Sequence, residues 1–275
     1  YLEKYHIPAV DYSEGVKTAY PQGVQAKEFI LPKELLEQDC VISLSKMKTH
    51  ALERITGAVK NSYGFIYGFH KAKGHTQYPS ADSFARMLID LNKCVAPKLY
   101  VMDGIVAMEG NGPGSGDPVP MNVLLMSTDP VALDSVFSRL VYLKPEMVPT
   151  NYHGEKMGLG TWKEEEITLL TPDGEISMAE AVKKYGNPAF NVDRTEVRKN
   201  IWTRMAGALN IFQKKPYIEA DKCVRCGICV QSCPVPGKAV DFRKGKGKPP
   251  VYDYRKCIRC FCCQEMCPKK AIKVK

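Results

Sequence analysis

Nine of the eleven cysteines in this 275-residue chain fall between Cys223 and Cys267, and they follow a repeated order. Two copies of C-x2-C-x2-C-x3-C-P are present: Cys223, Cys226, Cys229 and Cys233 before Pro234, then Cys257, Cys260, Cys263 and Cys267 before Pro268. In that spacing the first three thiolates wrap one iron–sulfur cube and the fourth ligates its neighbour. The expected donor sets are Cys223, Cys226, Cys229 and Cys267 for one [4Fe–4S] cluster, and Cys257, Cys260, Cys263 and Cys233 for a second. Structural zinc takes isolated pairs and does not explain two runs of four. A disulfide framework would account for the density but not for the spacing. Cys262, beside Cys263, is the odd thiol, expected to be a packed neighbour, with an exchange of roles with Cys263 as the alternative. The chemistry implied is transfer of single electrons.

The spacing has a physical purpose. Three closely spaced cysteines let the chain curl round the cube and turn backbone N–H groups toward its sulfurs, which stabilises the anionic cluster. Crossing the fourth ligands ties together two halves too small to bury a sufficient apolar core. Asp221-Lys222 and Arg255-Lys256 precede the two runs, and Lys238-Ala239-Val240 and Lys270-Ala271-Ile272 follow them, so the repeat extends beyond the cysteines. The segment resembles a bacterial-type two-cluster ferredoxin over its whole length, which implies a small α+β ferredoxin-like domain.

From residue 213 onward the chain carries 16 Lys and Arg against 5 Asp and Glu, whereas the first 212 residues are nearly balanced, 23 against 25. Two clusters with their thiolates would add about −4, so part of the surplus is compensation. The remainder suits a solvated surface or an acidic redox partner protein, donor or acceptor. Arg243-Lys244-Gly245-Lys246-Gly247-Lys248 is the densest basic stretch, a linker or a docking loop. No nucleic acid is expected as a partner, because the aromatic residues form no stacking platform.

A second group of residues has different chemistry to offer. Lys46, Lys48, His50 and Lys60 gather donors and fixed positive charge near one strand end, which suits a phosphate or carboxylate. Lys46, His50, Lys60 and Asp103 are the candidate catalytic residues, and Lys48, Thr49, Asn61, Gly110 and Gly112 are candidates for holding an additional anionic small molecule. His50 could donate a proton, ligate a metal or simply be hydrogen-bonded. Asp103 and Glu109 suit a hard cation or pairing with those lysines, and pairing is the expectation. The glycine-rich run 110–116 spells neither a Walker A loop nor a dinucleotide fingerprint. Close approach to a ligand, a lid and a plain surface loop all stay open for it.

Certain elements must position these groups. Residues 39–44 read as a short, largely buried strand running into the polar Lys46-Met47-Lys48-Thr49-His50, and residues 98–102 and 122–126 read as two more strands. Phe84, Met87, Leu88 and Leu91 are spaced for an amphipathic helix over 83–95, ended by Pro97. Asp129 is placed as N-cap and Pro130 as first residue of another helix. Residues 167–170 form a short strand before the turn Thr171-Pro172-Asp173-Gly174, and residues 198–212 look helical. Strand, polar loop and helix in repetition imply an α/β fold, a mostly parallel sheet layered with helices. Ligands in such sheets bind beyond the carboxyl ends of the strands. The length suits two units, expected at 1–212 and 213–275 with a boundary near Lys215-Pro216.

Charged residues interrupt every hydrophobic run, so no membrane span is expected. The chain starts at Tyr1 without a basic, apolar leader, which suggests an internal start, missing upstream sequence and a soluble, cytoplasmic protein.

The stretches 46–50, Gly57-Ala58-Val59-Lys60-Asn61-Ser62-Tyr63-Gly64, Val101-Met102-Asp103-Gly104 with 109–113, and Ser127-Thr128-Asp129-Pro130-Val131-Ala132-Leu133-Asp134 resemble the DUF362 family. Members often carry a C-terminal ferredoxin module, and Cys257-Ile258-Arg259-Cys260-Phe261-Cys262-Cys263 is similar to theirs. The family's usual N-terminal strand-helix portion has no counterpart here. The resemblance implies a fold and no settled reaction. The leading expectation is a ferredoxin-type oxidoreductase of anaerobic metabolism, relaying electrons through the clusters to a molecule bound in the α/β domain. A non-enzymatic carrier or subunit docking on a larger oxidoreductase is the alternative.

Overall fold

The computed structural model describes residues 2–68, 70–196 and 215–274. Strands β1 (Gly15–Ala19) and β2 (Glu28–Pro32) form an antiparallel hairpin, and a short α1 (Lys33–Leu36) leads to β3 (Ile42–His50). β4 (Arg54–Thr56) turns back along the end of β3. The chain then crosses through α2 (Ala58–Asn61), α3 (His70–Gln77) and α4 (Ala81–Val95) to β5 (Leu99–Glu109), which lies parallel to β3. β6 (Asp117–Ser127) returns antiparallel along β5. Helices α5 (Pro130–Leu140) and α6 (Pro149–Lys156), the hairpin β7 (Leu169–Thr171) and β8 (Gly174–Ile176), and α7 (Met178–Tyr185) follow. The cysteine-bearing end contains β9 (Pro216–Ile218), α8 (Ile228–Gln231), β10 (Val240–Asp241), β11 (Val251–Tyr252), α9 (Cys262–Glu265) and β12 (Ile272–Val274).

The expected mostly parallel sheet is corrected to a small mixed one. Its order is β4-β3-β5-β6, and β3 with β5 is the single parallel pairing of the three. The reason is connection length: three residues join β3 to β4 and seven join β5 to β6, and such links reach only an antiparallel neighbour. The polar run 46–50 is also strand rather than loop. Lys46 is exposed, Met47 buried, Lys48 half-buried and Thr49 buried, the alternation of a sheet with one covered face. The start of β3 is not a buried strand: Ser43 and Ser45 point inward while Ile42 and Leu44 are exposed. The small inward hydroxyls let α2 lie close, and Asn61 Nδ2 donates to Ser43 Oγ at 3.3 Å and to the Leu44 carbonyl at 2.9 Å.

Two of the three helices expected from sequence form as α4 and α5. Ser80 caps α4 in a capping box with Ser83, and the helix buries Phe84, Met87, Leu88 and Leu91 against the β1–β2 side of the molecule. Asp129 Oδ1 accepts from the amides of Val131 and Ala132 at the start of α5, at 2.7 and 3.0 Å. A cap of this kind contributes about 1 kcal/mol. A second apolar cluster lies between the sheet and α5, with Met47, Tyr100, Met102 and Phe137 at its centre. The expected helix over 198–212 falls outside the described residues.

Candidate functional site

The two cysteine runs fold as copies of one another. Arg225 and Gly227 in the first, and Arg259 and Phe261 in the second, adopt positive φ of 60°, 79°, 57° and 61°. Such alternation turns successive N–H groups inward and makes an anion-binding concavity. Lys238 and Lys270 repeat the pattern at φ 46° and 50°, and the amides of Ala239 and Ala271 donate to Cys233 Sγ and Cys267 Sγ, each at 3.3 Å. One cavity is lined by Cys223, Cys226, Cys229 and Cys267, three thiols from the first run and the last from the second. Cys257 in turn has Cys260 and Cys233 as electrostatic neighbours, and Cys263 has Cys260 and Cys257. Four thiols around one hollow are the donor chemistry of an iron–sulfur cube, and these residues fit it.

Cys262 has a partner of its own. Its ionisation is pushed up by a hydrogen bond to Cys260 and by burial, while the same bond pulls Cys260 down. The bond therefore favours ionisation of Cys260 over ionisation of Cys262. Tyr252 Oη also donates to Cys263 Sγ at 3.1 Å.

The two thiol groups face different surroundings. In the first set Cys226 is exposed, Cys223 and Cys267 are half-buried and Cys229 is buried, whereas in the second Cys257 is half-buried and Cys233, Cys260 and Cys263 are buried, with Cys262 buried beside them. The buried group meets the rest of the chain at a cleft of about 820 Å³. Lys48, Lys60, Lys71, Tyr63 and His75 line it from one side, and Cys233, Lys238, Cys262 and Glu265 from the other.

Local structure explains how this wall is built. Asp134 of α5 is fully buried and accepts from the amides of Ala58 and Val59 at 2.5 and 3.1 Å, fixing the start of α2 and hence Lys60 and Asn61. Asn92 of α4 donates to the Val59 carbonyl at 3.0 Å and accepts from Ser62 Oγ at 2.7 Å. Lys48 reaches the cleft from the end of β3. Burial and the charge of Lys60 lower the pKa of both Lys48 and Lys71. Burial alone would raise the pKa of Glu265, but the bond to His50 and the charge of Lys60 outweigh it and hold the carboxyl at about 2.

His50 sits behind the cleft. Its Nδ1 accepts from the amides of Leu52 and Glu53, both at 3.1 Å, so the ring proton lies on Nε2 and is donated to Glu265 Oε1 at 3.2 Å. Burial and Lys60 lower its pKa to about 4, which keeps it neutral at pH 7. His75 is also buried, stacks on Phe84 with centroids 4.6 Å apart, and is held at about 4 by burial.

The structure brings together Lys48, Lys60 and Asn61 on the cleft wall, with His50 one contact behind. It does not bring Lys46 or Asp103 there. They pair with each other across β3 and β5 at 2.5 Å, both about half exposed. That bond is the first reason the pKa of Asp103 is lowered. Glu109 accepts from the Asn191 amide at 2.7 Å. Thr49, Gly110 and Gly112 lie instead at a separate cavity of about 470 Å³, which they line with His50 and Arg54, and they touch one another there: Thr49 Oγ1 donates to the Gly110 carbonyl at 3.0 Å, and a Cβ on Gly112 would come within 2.1 Å of the Thr49 carbonyl oxygen.

The glycine-rich run therefore receives the cysteine-bearing end. Gln264 Nε2 donates to the carbonyls of Asn111 and Gly112, both at 2.9 Å, Asn111 Nδ2 donates to the Ile272 carbonyl at 3.0 Å, and Lys270 Nζ donates to the Gly116 carbonyl at 3.0 Å. Sequence reasoning missed Tyr63, Lys71, His75, Lys238, Gln264 and Glu265. One signal was available: Glu265 is the lone acid between residues 254 and 275, set between two cysteines.

A chain with this cysteine end and this α/β portion defines a class. Residues 1–139 match the family described as domain of unknown function DUF362, and residues 215–268 match the 4Fe-4S dicluster domain, so the chain belongs to the DUF362 family and carries an iron–sulfur binding segment. Among individual proteins it is 42% identical over 130 residues to the thylakoid-associated protein sll1697 of Synechocystis. That match covers 47% of this chain and 40% of the relative, so the chain spans about two fifths of the curated relative it matches. No solved structure matches. Among the described residues, no helix is long and apolar enough to cross a membrane.

Proposed function

We propose that this protein is an iron–sulfur oxidoreductase that passes single electrons through two [4Fe–4S] clusters to a small anionic molecule held in the cleft. The observation that carries the reading is that one cleft is lined both by Lys48, Lys60, Lys71 and Lys238 and by Cys233 and Cys262. Cys233 belongs to the proposed second donor set with Cys257, Cys260 and Cys263, and the first set is Cys223, Cys226, Cys229 and Cys267. Bound clusters would supply one-electron storage and transfer. Units at 1–212 and 213–275 would meet at this cleft.

The chain's own residues then have distinct tasks. Lys60 and Lys48 supply fixed positive charge to a phosphate or carboxylate, while Asn61, whose amide is spent on Ser43 and Leu44, holds α2 and so Lys60 against β3. Lys48 is partly stripped of water, so a bound anion satisfies it better than solvent does. Glu265, ionised on the opposite wall, turns the negative end of the molecule toward the lysines. His50 spends both ring nitrogens on its neighbours and acts as a positioning residue for Glu265. Eight cysteines committed to clusters rather than to disulfides suit a reducing compartment such as the cytoplasm, testable by cell fractionation.

The test is anaerobic reconstitution, reduction, and a screen of phosphorylated and carboxylated oxidants for cluster reoxidation. Reoxidation by one class that Lys60→Ala abolishes is expected. An α/β portion that binds none of them and leaves reoxidation unaffected would contradict the proposal. The second reading, a carrier docking on a larger oxidoreductase, is favoured by the solvent-facing Cys226. It predicts a stable complex with such an enzyme.

A further inference from the structure

We infer that the face around the first donor set is the docking surface for an acidic one-electron carrier protein that supplies the electrons. The inference rests on the cluster reading above and goes beyond it, because it assigns a direction to the relay and a partner to one end.

The two ends of the relay differ in what they admit. The cleft beside the second set has a volume within the range of small-molecule sites, about 300–1,000 Å³, and no folded protein can enter it. The first set opens at the surface instead. Val224, between Cys223 and Cys226, is 54% exposed, and Cys226 is itself exposed. An exposed aliphatic side chain beside a solvent-facing ligand is the dry centre that a redox contact needs.

Around that centre the rim is basic. Arg225 Nη1 donates to the Gly247 carbonyl at 2.9 Å, which pins the 243–248 loop beside the first run, and Pro250 lines the same cavity as the four thiols. Lys244, Lys246 and Lys248 on that loop are exposed, and so is Lys269 at the cavity. The acids nearby are few: Glu219 is held by Lys222 at 2.6 Å, Asp253 pairs with Arg243 at 3.4 Å, and Asp221 is exposed. An apolar centre ringed by unneutralised lysines complements an acidic protein, and complementary charge speeds encounter at low ionic strength. In the step itself one electron leaves the reduced carrier and would be gained by the cluster that the first donor set holds. No bond and no proton moves.

The test uses the anaerobically reconstituted holoprotein with its iron and sulfide content determined first, and a flavodoxin as the acidic carrier. Dissociation constants are measured by calorimetry at low and high salt, carbodiimide cross-links are mapped by mass spectrometry, and reduction by methyl viologen serves as a partner-free control. The variant is Lys244→Glu with Lys246→Glu and Lys248→Glu, compared with Lys183→Glu with Lys184→Glu on α7. The 244–248 variant is expected to weaken docking about tenfold or more at low salt, with cross-links at those lysines in the parent and viologen reduction unchanged. A change below about twofold, or an equal loss in the α7 variant, would overturn the docking proposal alone. Iron and sulfide short of two clusters would overturn the cluster reading and this proposal with it.

Discussion

Replacing Gln264 by Ala removes two of the hydrogen bonds that hold the cysteine-bearing end against the glycine-rich run, leaving those of Asn111 and Lys270. Gln264 is fully buried, and its Nε2 is shared between the Asn111 and Gly112 carbonyls, each at 2.9 Å. Two neutral hydrogen bonds are worth about 1 kcal/mol each, so their loss costs about 2 kcal/mol. Water reaching the two carbonyls would soften the penalty, and the void left by the missing side chain would add to it. The Gln264 Oε1 has no partner in the parent, so its removal offsets part of the loss. Native-state hydrogen exchange read by mass spectrometry should then show the amides of 110–116 and 261–266 exchanging about 30-fold faster, since 1.4 kcal/mol is a factor of ten. The amides of α4, which makes none of these hydrogen bonds, should not change. Exchange within about twofold of the parent at 110–116 would refute the reasoning that this bond pair carries the docking.

Other expectations follow from the same structure. Lys60→Ala should weaken phosphate binding at least ~5-fold, while Lys46→Ala should leave it unchanged and alter stability by less than about 1 kcal/mol, because its pair with Asp103 is solvent-screened; equilibrium dialysis and melting curves check both. Asp134→Ala strips two helix-start amides of their acceptor and should destabilise by about 2–4 kcal/mol, measured by urea unfolding followed by fluorescence. His50 and His75 are held by burial at about 4, against 6.5 when unfolded. The unfolded chain therefore binds more protons between those values, and stability must fall on acidification from pH 6.5 toward 4. His75→Phe should flatten that fall in a series of melting temperatures, and an unaltered slope would contradict the assignment.

What could be read beforehand divides by the distance over which a signal acts. The cysteine runs, the Asp129 cap and the α4 stripe are set by residues within a few positions, and spacing alone exposes them. The strand character of 46–50 was present in the alternation of Met47 and Thr49 with Lys46 and Lys48, but polar side chains masked it. Sheet direction depended on residues 110–116 acting as a hairpin link, and nothing local distinguishes such a link from a ligand loop. The cleft was least legible. Lys60 and Glu265 are 205 positions apart in sequence, and Ser43 and Asn61 show their purpose only once α2 lies on β3.

An EPR-monitored redox titration of the reconstituted protein, with and without saturating inorganic phosphate, tests most directly whether an anion in the cleft lies beside one donor set. Added negative charge disfavours reduction of a neighbouring cluster, so one potential should move down while the other stays, and Lys60→Ala should abolish the shift. Two potentials that both stay put, or that move together, would contradict the placement of the anion site beside Cys233 and Cys262.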